Sequence, residues 1–163
     1  MDKKSWYLVG PMTGCYYEAQ EWRNKAKKRL NCIDPYEEES NLRPPIPYKN
    51  LFEFYKALRG IHDFDRIRRE FPAILKINNK SVDEAFGLLC YEPYPIEISS
   101  WGTVKEVVRA HRQGKPVVLW SEVPLEKMNF SAITMSTAIT HTLADAIKTC
   151  KAIESGSFGG EKQ

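Results

Sequence analysis

A chain of 163 residues suits one domain with one core, since domains run to roughly 100 to 200 residues. A hydrophobic fraction of 42% and a charged fraction of 28% exclude a disordered chain, and a formal charge of +3 is too mild to predict binding to a polymeric nucleic acid. No apolar run reaches the roughly 18 to 20 residues of a membrane span, and Met1 to Ser5 lack the apolar stretch of a signal peptide, so no membrane partner and a cytoplasmic protein are expected.

Trp6 to Gly10 form a short apolar run that stops at Gly-Pro, the pattern of a buried first strand ending in a tight turn. Tyr17 to Leu30 follow as a helix, with Ala19, Trp22, Ala26 and Leu30 at helical spacing. Its cations Arg23, Lys25, Lys27, Lys28 and Arg29, like the later group Arg66, Arg68 and Arg69, read as solvated helix faces. They lack the interleaved aromatics of a nucleic-acid footprint. Asn31 to Tyr36 read as a second short strand, and Glu37 to Asn50, with three prolines, as an irregular segment of the length that is often functional.

Leu51 to Leu58 and Phe64 to Leu75 read as helical pieces on either side of Gly60, with Pro72 obscuring the end of the second. Ala85 to Tyr91 is a third strand, Val104 to Gln113 a helix stopped by Gly114, Pro116 to Trp120 a fourth strand, and Thr142 to Ile153 the last helix. Residues 1–154 are expected to form the domain and 155–163 a flexible tail. Alternating strands and helices predict a parallel sheet covered on both faces, with ligands beyond the carboxyl ends of its strands.

Cys15, Cys32, Cys90 and Cys150 contain no CxxC pair, and His62, His111 and His141 have no ligand spacing, so no metal site is expected. Free thiols in a reducing compartment follow. His111 reads as an exposed helix residue.

Two segments at the predicted ligand end carry chemistry. In Gly10-Pro11-Met12-Thr13-Gly14, glycines let backbone amides approach a sugar or phosphate, although a Gly-Pro turn that merely reverses the chain reads equally well. The spacing matches neither GxGxxG nor a P-loop. In Ser99 to Glu106, Thr103 and Glu106 satisfy a capping box, in which Thr103 caps the helix and Glu106 reaches back to its amide. The other reading makes Glu106 a nucleophile facing a bound sugar, its ionised form favoured by the helix dipole. Tyr16, Tyr17, Trp22 and Trp101 read as core or surface-packing residues that could also flank a base, Trp101 foremost for the latter because it adjoins this segment.

Tyr7-x-x-Gly10 at the end of the first strand, followed by Gly102-x-x-x-Glu106 leading to Gly114-Lys115-x-Val117, resembles the nucleoside 2-deoxyribosyltransferase superfamily, which includes the 2'-deoxynucleoside 5'-phosphate N-hydrolases. The resemblance implies a single-domain Rossmann-like (flavodoxin-like) α/β fold, a three-layer sandwich with a mostly parallel sheet of about five strands. It implies a homodimer or higher homo-oligomer, a nucleotide or nucleoside substrate and no cofactor. Glu106 matches the family's nucleophile and Tyr7 the phenol that orients it. Ser100, six residues before Glu106, matches a serine that holds a 5'-phosphate in the hydrolases, where the transferases have an Asp for the sugar hydroxyl. Gly10 to Gly14, Trp101, Gly102 and Thr103 would line the substrate.

Phe130-Ser131-Ala132-Ile133 resembles a hydrolase segment whose serine reaches a phosphate, although Ser131 also reads as the N-cap of a short helix. The acid that assists departure of the base is assigned to Asp65, with Asp63 and Asp83 as alternatives. The implied reaction is hydrolysis of the N-glycosidic bond of a nucleoside 5'-monophosphate through a Glu106 glycosyl-enzyme intermediate. A base-exchanging transferase is the alternative. Phosphoribohydrolases of the cytokinin-activating type share Gly-Thr-x-x-Glu but place it after Pro-Gly-Gly, where this chain has Ser-Ser-Trp. A non-catalytic nucleotide-binding module remains as a reading of another class.

Overall fold

A computed structural model describes residues 4–10, 16–35, 37, 64–93 and 101–159. The predicted helix over residues 51–58, most of the irregular stretch from 37 to 50, and Asp63, His62 and Cys15 lie outside them.

Five strands form one all-parallel sheet: β1 (Trp6–Val9), β2 (Cys32–Ile33), β3 (Gly87–Tyr91), β4 (Val117–Trp120) and β5 (Ala138–Thr140). Their spatial order is β2-β1-β3-β4-β5. The helices are α1 (Tyr16–Lys27), α2 (Phe64–Glu84), α3 (Trp101–Arg112), the short α4 (Phe130–Met135) and α5 (Leu143–Ser155), with a 3-10 turn at Leu125–Lys127. The result is the expected three-layer α/β sandwich with flavodoxin-type strand order.

Strand periodicity sorts the core into two halves. Tyr7, Val9, Leu88, Cys90, Val117 and Leu119 face α2, α3 and α4, where Val82, Val107, Ala110 and Ala132 meet them. Trp6, Leu8, Leu89, Val118 and Trp120 face α1 and α5, against Trp22, Ala26, Ala146, Ile147 and Cys150. Both faces being covered, the strands read as unbroken apolar runs, which is why β1, β3 and β4 were visible in the sequence.

Several boundaries moved. The helix expected to end near Leu75 runs through Pro72 to Glu84. Proline costs a helix one hydrogen bond, and here it stands exposed on the helix surface. The last carbonyls of α2 are held by Lys115, whose ammonium donates to the oxygens of Val82 and Ala85 at 2.7 Å each and to that of Asp83. The Gly114-Lys115 pair therefore has a structural role of its own. Thr142 caps α5 by accepting from the Asp145 amide at 3.1 Å, and Ser155, assigned to the tail, is the last residue of that helix.

Candidate active site

In this strand order the chain leaves β1 toward β2 on one side and returns to β3 on the other. In sheets of this order the ligand-binding crevice lies beyond the carboxyl ends of the strands at the switch point, here β1 and β3. Tyr7 and Glu106 meet there. The Tyr7 hydroxyl, on a side chain fully buried on the β1 face toward α3, donates to Glu106 Oε1 at 3.2 Å. This is long for a hydroxyl bond to a carboxylate, which leaves it room to shorten when a ligand arrives. A phenol donating to a carboxylate favours the charged form and fixes its orientation.

The capping box is not formed. Helix α3 begins at Trp101 rather than beyond Thr103, so Thr103 lies buried inside the first turn and Glu106 falls in the second. From the second turn Glu106 cannot cap, and the dipole that falls off within one turn favours its charge less than expected. The observed partner of the carboxylate is the phenol, 99 residues away in sequence.

Other groups at this end were not foreseen. Glu92 follows β3 directly, is 1% exposed, and donates its amide to the Trp120 carbonyl at 3.0 Å. Burial pushes the Cys90 thiol well above its usual range, and the nearby Glu92 and Glu106 charges add to this, while Arg23 opposes it. Glu92, Glu106 and Arg23 thus all lie within electrostatic reach of the Cys90 side chain. The signal for Glu92 was a charged residue directly continuing an apolar strand.

Arg23 is a correction to the solvated-face reading: its side chain is completely buried. Lys27 of the same group is also largely covered, reaching Asp34 Oδ2 at 2.9 Å. A helix periodicity argument places Arg23 next to Trp22, on the edge of the buried stripe, and a long cationic side chain there turns inward only when an acceptor awaits it.

Gly10 closes on the end of β1. A Cβ built on it would stand 3.1 Å from the Tyr91 carbonyl and 3.3 Å from the Trp22 ring, so a larger residue would need these neighbours to give by a few tenths of an ångström. Tyr91 and Trp120 stack with centroids 4.0 Å apart, and Trp22 meets both edge-on. Trp22 is thus a core residue, and its buried indole N–H, like that of Trp120, has no partner among the described residues.

Asp65 stands exposed in the first turn of α2. Asp83 lies at the other end of that helix, held by Arg109 at 2.7 and 2.6 Å and by Gln113, on the amino side of the sheet and away from the crevice. That removes it from contention as the acid. Ser131 is not an N-cap: Asn129 is, its side chain accepting from the amides of Ser131 at 2.9 Å and Ala132 at 3.4 Å. Pro11, Met12, Thr13, Gly14 and Ser100 lie outside the described residues, as do the side chains of Tyr16, Tyr17 and Trp101; Gly102 is exposed on the first turn of α3. His111 is exposed, and among the described residues no group of histidines, cysteines and acids could hold a metal ion. Cys32, Cys90 and Cys150 carry free thiols, and no described helix is long and apolar enough to cross a membrane.

What this geometry defines is an α/β domain of flavodoxin-type topology with a carboxylate and a phenol paired in its switch-point crevice. No family model and no curated protein matches the sequence. Among solved structures, a conserved protein from Enterococcus faecalis V583 superposes with a TM-score of 0.59 at 12% identity, covering 93% of this chain and 99% of the other. A 2-deoxyribosyltransferase from the psychrotolerant bacterium Bacillus psychrosaccharolyticus superposes with a TM-score of 0.52 at 17% identity, covering 88% and 90%. At these identities the likeness is one of fold.

Proposed function

We propose that the protein is an enzyme that cleaves the N-glycosidic bond of a nucleoside 5'-monophosphate, with Glu106 as nucleophile. The observation that carries this reading is the Tyr7 hydroxyl on the Glu106 carboxylate inside the switch-point crevice. Sharing a fold with a deoxyribosyltransferase supports it, as does the sequence pattern around Glu106. The carboxylate attacks the anomeric carbon as the bond to the base breaks, giving a glycosyl ester; the base leaves with a proton from a second carboxyl group, for which Asp65 is the candidate. Water then attacks the same carbon, giving its proton to the carboxylate that had protonated the base, and the sugar phosphate and the Glu106 carboxylate are released. Tyr7 holds the carboxylate in line and does not itself touch the sugar.

The monophosphate rests on Ser100, because a hydroxyl donates to a phosphate where a carboxylate would repel it. Backbone amides of residues 10–14 and the hydroxyls of Thr13 and Ser131 would complete the phosphate contacts. Free thiols fit a cytoplasmic enzyme. A homodimer is part of the same reading, and Phe130, 73% exposed beside Ser131, is the apolar surface it would cover.

The test is chromatography of protein incubated with each common ribo- and deoxyribonucleoside 5'-monophosphate and with the matching nucleosides. Base should be released from a monophosphate, and Glu106→Gln should reduce turnover by about a thousandfold or more with the fold intact. Near-normal turnover in that variant removes Glu106 from the role. Base exchange between free nucleosides, with no hydrolysis of nucleotides, identifies a transferase instead. Nucleotide binding without any product identifies a binding module.

A further inference from the structure

Arg23 sits in the second turn of α1, among cations that face water, yet none of its side chain is exposed. Burying a guanidinium is costly, and it persists only where several acceptors hold it. Here Nη2 donates to the Gly10 carbonyl at 3.1 Å, Nε lies 3.5 Å from Asp34 Oδ1, and the guanidinium carbon stands 4.8 Å over the Trp22 ring. Asp34 is itself 2% exposed, and its other oxygen takes Lys27, which continues to Glu37 at 2.6 Å.

One planar cation therefore joins three elements: the end of β1 through Gly10, the residue after β2 through Asp34, and α1, which carries it. Gly10 is three residues beyond Tyr7 and borders the crevice. Tyr91 and Trp22 leave little room for a side chain at Gly10, so together with the guanidinium they clamp the point where the chain leaves the sheet. Tyr7, by contrast, lies inside β1, with Ile33 and Leu88 as its neighbours in register on the two flanking strands, and does not depend on that clamp.

We propose that Arg23 is a positioning residue of the active site: through the Gly10 carbonyl it sets where the backbone leaves β1 at the crevice, and so governs substrate affinity more than the chemical step. This rests on the reading of Tyr7 and Glu106 as the reacting pair.

The test removes the ion pair as a unit, because deleting Arg23 alone leaves the buried Asp34 carboxylate to Lys27, whereas replacing both partners by apolar groups is often neutral. In Arg23→Met/Asp34→Leu the melting temperature should stay within about 5 °C of the parent. KM for the nucleotide that the parent cleaves should rise about tenfold or more, with kcat within about threefold. Arg23→Lys keeps the charge on a single point that cannot reach both acceptors, and should show a smaller rise in KM. A folded double variant with parental KM overturns the proposal; should the double variant fail to fold, a parental KM in Arg23→Lys does so instead. If the parent cleaves no nucleoside or nucleotide, the functional reading fails separately. Amide exchange of the ligand-free protein then tests the clamp itself: faster exchange at Gly10 but not in β4 sustains it, and unchanged exchange at Gly10 refutes it.

Discussion

Two ionic networks occupy opposite ends of the sheet, built from the same residue types and differing in their contact with water. At the amino side, Arg109 and Gln113 grip Asp83, with side-chain exposures of 38% for Arg109 and 41% for Asp83. At the carboxyl side, Arg23 and Asp34 are both fully covered. The exposed network ties α3 to the end of α2 at little desolvation cost and earns modest stability. The buried one carries a large desolvation cost that hydrophobic packing would avoid, and it stands where Gly10 leaves β1.

The largest effect should come from breaking the buried pair on one side only. Arg23→Met is expected to lower unfolding stability in urea by about 1 to 3 kcal/mol, because the buried Asp34 carboxylate then keeps only its bond to Lys27. Arg109→Met should change the urea midpoint only slightly, since Asp83 would simply face water. Equal losses would erase the contrast.

The same difference between covered and open charge applies to Asp65 and Glu92, the two carboxyl groups weighed as the acid. Asp65→Asn should reduce kcat about 10- to 100-fold if the exposed group protonates the base. Unchanged kcat with a large loss in Glu92→Gln would hand that role to the buried group.

The smallest effect is in acid. Hydrogen bonds from Arg109 and then Gln113 hold the Asp83 carboxyl at about 2, below its ordinary 3.8. A folded-state value that is depressed stabilises above the unfolded value and is lost as pH falls through the folded one, here between about pH 4 and pH 2. Asp83→Asn should therefore differ slightly from the parent at neutral pH, and the difference should close across that window and shrink in 1 M salt. A difference that persisted at pH 2 would show that Asp83 acts through packing and not through charge.

The sequence by itself determined the fold class, since β1, β3 and β4 are buried on both faces and announce themselves as apolar runs with turn signals after them. Strand β5, with Ala138 to Thr140 only partly buried, left no such run and was not located. Tyr7 and Glu106 were legible as residues because their local patterns stand out, but two patterns competed for Glu106. The tertiary structure removed the capping pattern by starting α3 at Trp101, and it brought a phenol from β1 within 3.2 Å of the carboxylate. Arg23 and Glu92 were misread or missed for one reason. Local spacing reports which way a side chain leaves its own element, whereas the burial of a charge is fixed by acceptors that other elements bring to it, and those meet only when the sheet is assembled.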